Sequence, residues 1–226
     1  MYLFPNFLIK RHCAIFLFKM NKIIKLTNIV INYGNINFDF IADKGFQGLA
    51  ELEKDPFGVS YISQGNLKRL VLPNSKKVIF LTPDNKLILE DASGEDPEKS
   101  SLIMHYLISA VEVIKLAVSK PYNHGFNYQI ILSGVSETNL PNGAIEDSFN
   151  KEGIKIHGIG YTLTFYRSRV KNVLSISQSE DKSGFAINLN SHYKDQTLAL
   201  PNYEELNKEY KENWAALNVM LDKLFK

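Results

Sequence analysis

"KKVIFLTPDNKLILEDAS" (Lys76–Ser93) decides how this chain folds. Val78 to Leu81 is a short apolar run, and so is Leu87 to Leu89. Pro83-Asp84-Asn85 stands between them. Proline pre-sets its own φ, and Asp and Asn bond nearby backbone, so the trio turns the chain. Two short runs around a tight turn are a β-hairpin and commit this region to an antiparallel sheet.

The same signal recurs in both directions. Upstream, "KLTNIVINYGNINFDFIA" alternates through Ile29, Ile31 and Tyr33, is interrupted at Gly34-Asn35, and alternates again through Ile36, Phe38 and Phe40. It predicts one bent strand or a hairpin. "VSYIS" (59–63) and "KRLVL" (68–72) are short strands, and "GLAELEKD" (48–55) is a short helix or turn.

Downstream, "ASGEDPEKS" (92–100) leads into an amphipathic helix over Lys99–Ser119. Ile103, Leu107, Ala110, Ile114 and Ala117 recur every three or four residues, and Lys120-Pro121 stops the run. "FNYQIIL" (126–132) is a strand, and residues 133–153 read as a long polar loop.

Three strands with tight joints follow. In the first, Ile159, Tyr161, Leu163 and Phe165 share a face opposite Gly158, Gly160, Thr162 and Thr164. The second is "NVLSIS" (172–177). In the third, Phe185, Ile187 and Leu189 oppose Ala186, Asn188, Asn190 and His192. Period two with one apolar face means a sheet solvated on its far side. A last helix starts at Asn202, with Glu205 placed for a capping box. Leu206, Tyr210, Trp214, Leu217, Leu221 and Leu224 form its stripe.

The fold class expected is therefore α+β: an antiparallel sheet, or sheets, in two strand-meander-plus-helix halves, 24–119 and 126–226, with both amphipathic helices packed on one face. Residues 20–226 make one domain. Residues 1–19, "MYLFPNFLIKRHCAIFLFK", read as an upstream extension or a disordered leader, with "MNKIIKL" from Met20 resembling a natural start. The cations Lys10, Arg11 and Lys19 interrupt their apolar run, so the segment fits neither a signal peptide nor a membrane span.

Without that extension Lys plus Arg falls from 26 to 23 against 24 acids, a net charge of −1. The charge therefore gives no argument for a nucleic-acid partner. Cys13 is the single cysteine, which rules out a disulfide within the chain and a cysteine-built zinc or iron–sulfur centre. A reducing compartment, the cytoplasm, fits this composition.

The second half resembles a sporadically distributed family of uncharacterised bacterial proteins. "SAVEVIKLAVSKPYNHGFNYQIIL", "GFAINLNSHY" and "YEELNKEYKENWAALNVMLDKLF" carry the resemblance. It implies no activity, since none is established for that family. The opening "IVINYGNINFDF" is similar to the first strands of SecB-like chaperones.

The sequence contains no Walker loop, no GxGxxG after a strand, no HExxH and no GxSxG. The candidate binding residues are Arg167, Arg169 and Lys171, which share strand parity beside Tyr166, together with Asn188, Asn190 and His192. The cations suit a phosphate or an acidic partner, and more simply a hairpin end kept soluble. The polar row suits a bound ligand or peptide, and equally a solvated face.

His105, Ser109 and Glu112 line one helix face and are either acid–base groups or solvated surface. His157 sits at a strand position, and His124 reads as a mobile loop histidine. Gly158 and Gly160 suggest a close approach by the last helix through Trp214. No catalytic residue, metal or cofactor is assigned. The leading expectation is a non-enzymatic module that binds a protein partner or its own copy. The rivals are a small hydrolase or nuclease-like enzyme, and a carrier with a cavity between sheet and helix.

Overall fold

The computed structural model describes residues 20–100, 102–135, 160–179, 183–194 and 202–225. The extension at 1–19, most of the polar loop at 133–153, and the positions of His157, Gly158 and Ile159 lie outside them.

Among the described residues, nine strands form one antiparallel sheet. They are β1 (Asn21–Tyr33), β2 (Ser60–Gln64), β3 (Leu67–Leu72), β4 (Lys77–Thr82), β5 (Lys86–Asp91), β6 (Pro121–Ser133), β7 (Gly160–Arg167), β8 (Val170–Gln178) and β9 (Gly184–Lys194). The α-helices of the described residues are α1 (Asp43–Gln47), α2 (Leu102–Ile114) and α3 (Tyr203–Leu224).

The spatial order is β2-β3-β4-β5-β1-β6-β9-β8-β7. The same path is taken twice. A thirteen-residue strand is laid down, β1 or β6. A meander of short hairpins follows and returns its last strand, β5 or β9, alongside the long one. A helix then closes the half. The two long strands pair with each other at the centre, so both halves share one sheet.

All three described α-helices cover one face. Strand positions of one parity are shut from solvent: Leu70, Ile79, Leu89 and Ile29 in the first half, and Tyr128, Leu189 and Leu174 in the second. The helices contribute Phe46, Met104, Leu107, Tyr210, Trp214 and Leu221 to the same core. α3 begins with the expected capping box: Asn202 Oδ1 accepts from Glu205 N at 3.0 Å, and Glu205 Oε2 accepts from Asn202 N at 3.2 Å.

Two sequence expectations are corrected. After Tyr33 the strand does not resume. Ile36 forms only an isolated bridge with Val118, and Phe38–Phe40 is a 3-10 turn whose start is capped by the Asn37 side chain. α2 ends at Ile114 rather than Ser119. The bridge draws the chain away, with Asn37 N donating to Ala117 O at 2.8 Å and Ser119 N to Asn35 O at 2.9 Å.

Some core positions are polar. Lys77 and Asp91, on neighbouring strands β4 and β5, form a buried pair at 3.2 Å. The Lys77 ammonium also donates to Ser75 O at 3.1 Å and stands 5.3 Å from the centre of the Tyr106 ring. Tyr210 Oη donates to Thr27 Oγ1 at 2.9 Å, and Tyr128 Oη to the Tyr210 carbonyl at 2.6 Å. Buried polar groups are tolerable when paired in this way. Among the described residues no helix is long and apolar enough to cross a membrane.

Candidate functional site

The helices leave the other sheet face uncovered among the described residues. Antiparallel register arranges its side chains in rows that cross the whole sheet. One row takes a residue from every strand. It runs Ile62, Arg69, Phe80, Ile88 and Val30 across the first half. It continues through Gly125, His192, Lys171 and Tyr166 across the second. The adjacent row passes Val71, Val78 and Glu90 to Asn28, then Asn127 and Asn190 to Val173 and Thr164.

The two halves of this face differ in chemistry. The first presents half-buried Val30, Val71, Val78, Phe80 and Ile88. The Arg69 guanidinium stands 5.5 Å from the centre of the Phe80 ring. Partial burial lifts the Glu90 carboxyl above the ordinary range, with Arg69 acting in the opposite sense. The second half presents amides and hydroxyls. Asn127 Nδ2 donates to Asn28 Oδ1 at 2.5 Å, and Asn32 donates to Asn123. Gln129, Asn188, Asn190, Thr162 and Thr164 are exposed beside them.

Asn188, Asn190 and His192 alternate along β9 and face this surface as expected. Lys171 stands opposite His192 in the ladder, and Tyr166 stands opposite Lys171. The basic cluster itself is split. Ser168-Arg169 is a two-residue hairpin turn with Ser168 at φ 55°, and a turn breaks strand parity. Arg167 consequently points to the helix side, where its Nη1 donates to the Glu212 carbonyl at 3.2 Å. Arg169 is exposed at the turn and is not without a partner. Only Lys171 of the three cations lies on the open face.

Gly160 is not a point of close approach. It lies in edge strand β7, and a Cβ there would make only ordinary contacts, the nearest at 3.6 Å. Tight approaches occur at Gly125, where a Cβ would stand 2.8 Å from Ser191 O, and at Gly184, where it would stand 2.3 Å from Leu132 O.

His124 is not in a loop. It belongs to β6 and is 7% exposed. Its Nε2 lies 2.7 Å from Glu209 Oε2 on α3, and its ring stacks on Tyr193 with centres 4.5 Å apart. Tyr193 Oη accepts from Asn213 Nδ2 at 2.5 Å. Burial pushes the Tyr193 hydroxyl up to about 12. Ser191 Oγ donates to Asn172 Oδ1 at 2.8 Å nearby. This polar seam ties α3 to the sheet. The sequence carried a signal for it: the alternation Leu132, Ile130, Tyr128, Phe126 extends back to His124, and Asn213 adjoins Trp214 in the helix stripe.

The helix-face group is dispersed among local partners. The His105 ring meets Tyr106 edge-on, Ser109 Oγ donates to the His105 carbonyl at 3.1 Å, and Glu112 pairs with Lys115 at 2.6 Å. Among the described residues no three His, Cys, Asp or Glu side chains gather as metal ligands would.

No family model and no curated protein matches the chain. Among solved structures, the chain is similar to the Methanococcus jannaschii TBP at 9% identity and a TM-score of 0.30, over 88% of this chain and 99% of that one.

Proposed function

We propose that this protein is a non-enzymatic binding module that receives a protein partner on the uncovered face of its sheet. One observation carries the reading: among the described residues, register sets side chains from nine strands in a single continuous layer, with three helices on the opposite side.

Eight inter-strand steps of about 4.8 Å make the platform roughly 38 Å wide. With strands of about 20 Å its area is on the order of 800 Å², what a standard interface needs on each side. Its composition supports a protein rather than a small molecule. Val30, Phe80 and Ile88 supply apolar contact beside an aromatic-stacked arginine, and the neighbouring amides supply hydrogen bonds for a polar rim. The single cysteine of the chain supports a reducing, cytoplasmic setting.

The test is site-specific photo-cross-linking in the native host. A cross-linking residue placed at Thr162 or Asn190 is expected to trap one defined partner protein or a second copy. The same residue at exposed Lys208 on α3 traps none. Cross-links absent from the sheet face, or equal from both faces, overturn the reading.

A further inference from the structure

A second feature lies away from the rows of the open face. β5 pairs with β1 only over Thr27 to Asn32. From Asn21 to Leu26, therefore, β1 has no strand beside it on that flank among the described residues. The gap opens into a cleft of about 760 Å³. Its walls are the start of β1, the connection from β5 towards α2, and the α3 residues Trp214 and Asn218. That volume is within the usual range for small-molecule sites, roughly 300–1,000 Å³.

The polar lining is asymmetric. Lys22 and Lys25 bring two ammonium groups, and Asp96 is the one carboxylate. Asp96 is already engaged, its Oδ1 accepting from Glu98 N at 3.0 Å. Lys22 donates to Asn218, and its ammonium stands 5.6 Å from the centre of the Trp214 ring. A β-bulge falls at Lys25, between Ile24 and Leu26. Bulges re-aim side chains and concentrate beside functional sites.

Trp214 is 1% exposed, yet its indole N–H has no acceptor among the described residues. A buried donor left unpaired costs about 1–3 kcal/mol and calls for an explanation. An acceptor that arrives with a ligand, as the flexible Lys22 side chain swings off the indole, supplies one.

We infer that this cleft binds a small carboxylate with an apolar body. Its charge sits between Lys22 and Lys25, and its body lies against Ile24, Ala92 and the Trp214 ring.

The chain has a single tryptophan, so one indole N–H resonance reports the site directly. The experiment titrates full-length ¹⁵N-labelled protein with phenylacetate, and with phenylacetamide as the neutral isostere. Phenylacetate is expected to shift the indole resonance saturably, with a Kd on the order of 1 mM, which about ten heavy atoms support. Phenylacetamide and the Lys22→Met variant are each expected to bind at least roughly tenfold more weakly, the equivalent of about 1.4 kcal/mol. Lys22→Arg keeps the affinity. Should Lys22→Met fail to fold, exposed Lys25→Ala replaces it, with weakening again expected. No saturable shift with phenylacetate, equal shifts with the amide, or unchanged affinity in the lysine variant overturns the inference. Each of these readouts is independent of partner cross-linking at the open face.

Discussion

His124 Nε2 stands 2.7 Å from Glu209 Oε2, joining the long central strand of the second half to the helix that closes it. Both partners are largely shielded, at 9% and 27% side-chain exposure. Deleting the carboxylate leaves a buried imidazole without its acceptor. Glu209→Ala should lower the unfolding free energy by about 1–3 kcal/mol. The neighbouring Lys208→Ala, at an exposed position, should stay within about 0.5 kcal/mol. Urea denaturation of both variants checks this.

The buried Lys77–Asp91 pair makes a sharper prediction. Lys77 is fully shielded, and Asp91 Oδ1 accepts from Ser93 N at 2.8 Å. Lys77→Met strands a buried carboxylate and should cost about 3–5 kcal/mol. The double variant Lys77→Met/Asp91→Leu should recover a large share of that loss, because apolar replacement of a whole buried pair is often neutral. A double-mutant cycle measures the difference. A single-variant loss under about 1 kcal/mol would show that the first-half core is wrongly described.

Burial also fixes the alkaline limit. It pushes the Tyr33 and Tyr193 hydroxyls up to about 12, against an ordinary value of 10.0. A raised folded-state value favours the protonated hydroxyl in the native protein. The associated stability is complete below 10 and is lost as pH rises from 10 towards 12. Near-ultraviolet tyrosinate absorbance should show a fraction of the 11 tyrosines ionising only in that upper window, as stability falls. Ionisation of every tyrosine near 10 in a protein that keeps its native circular dichroism would contradict this.

The glycines separate two kinds of site. A Cβ at Gly184 would stand 2.3 Å from the Leu132 carbonyl oxygen, a backbone atom that cannot swing aside. Gly184→Ala should cost about 1–3 kcal/mol by forcing β6 and β9 apart. Gly160→Ala, with only ordinary contacts, should be neutral or stabilising by up to about 1 kcal/mol through the unfolded chain. Thermal denaturation of the pair is sufficient.

Much of the fold was legible because period-two alternation survives wherever one face is buried. Asn188, Asn190 and His192 were placed on the open face by Leu189 and Ile187 between them. The hairpin at Pro83-Asp84-Asn85 was equally plain, since its turn chemistry is local. Three things were not legible. A two-residue turn at Ser168-Arg169 reverses parity, and nothing in its composition marked it, so the arginines appeared to share a face with Lys171. The bridge between Ile36 and Val118 joins residues far apart in sequence and overrides the helical pattern up to Ser119. Leu163 belonged to an apolar strand face but is 43% exposed, because edge strand β7 has a strand on one side only among the described residues.

The most direct test of the open-face reading uses adjacent residues of β9. Asn190 is exposed on the uncovered face, and Leu189 is 1% exposed beneath the helices. Unfolding free energy and partner cross-linking from Thr162 are measured for Asn190→Arg and Leu189→Arg. Asn190→Arg is expected to keep its stability within about 0.5 kcal/mol and lose the cross-link, while Leu189→Arg unfolds. If Asn190→Arg unfolds the protein as Leu189→Arg does, or folds and still captures the partner, the uncovered face is not where this protein binds.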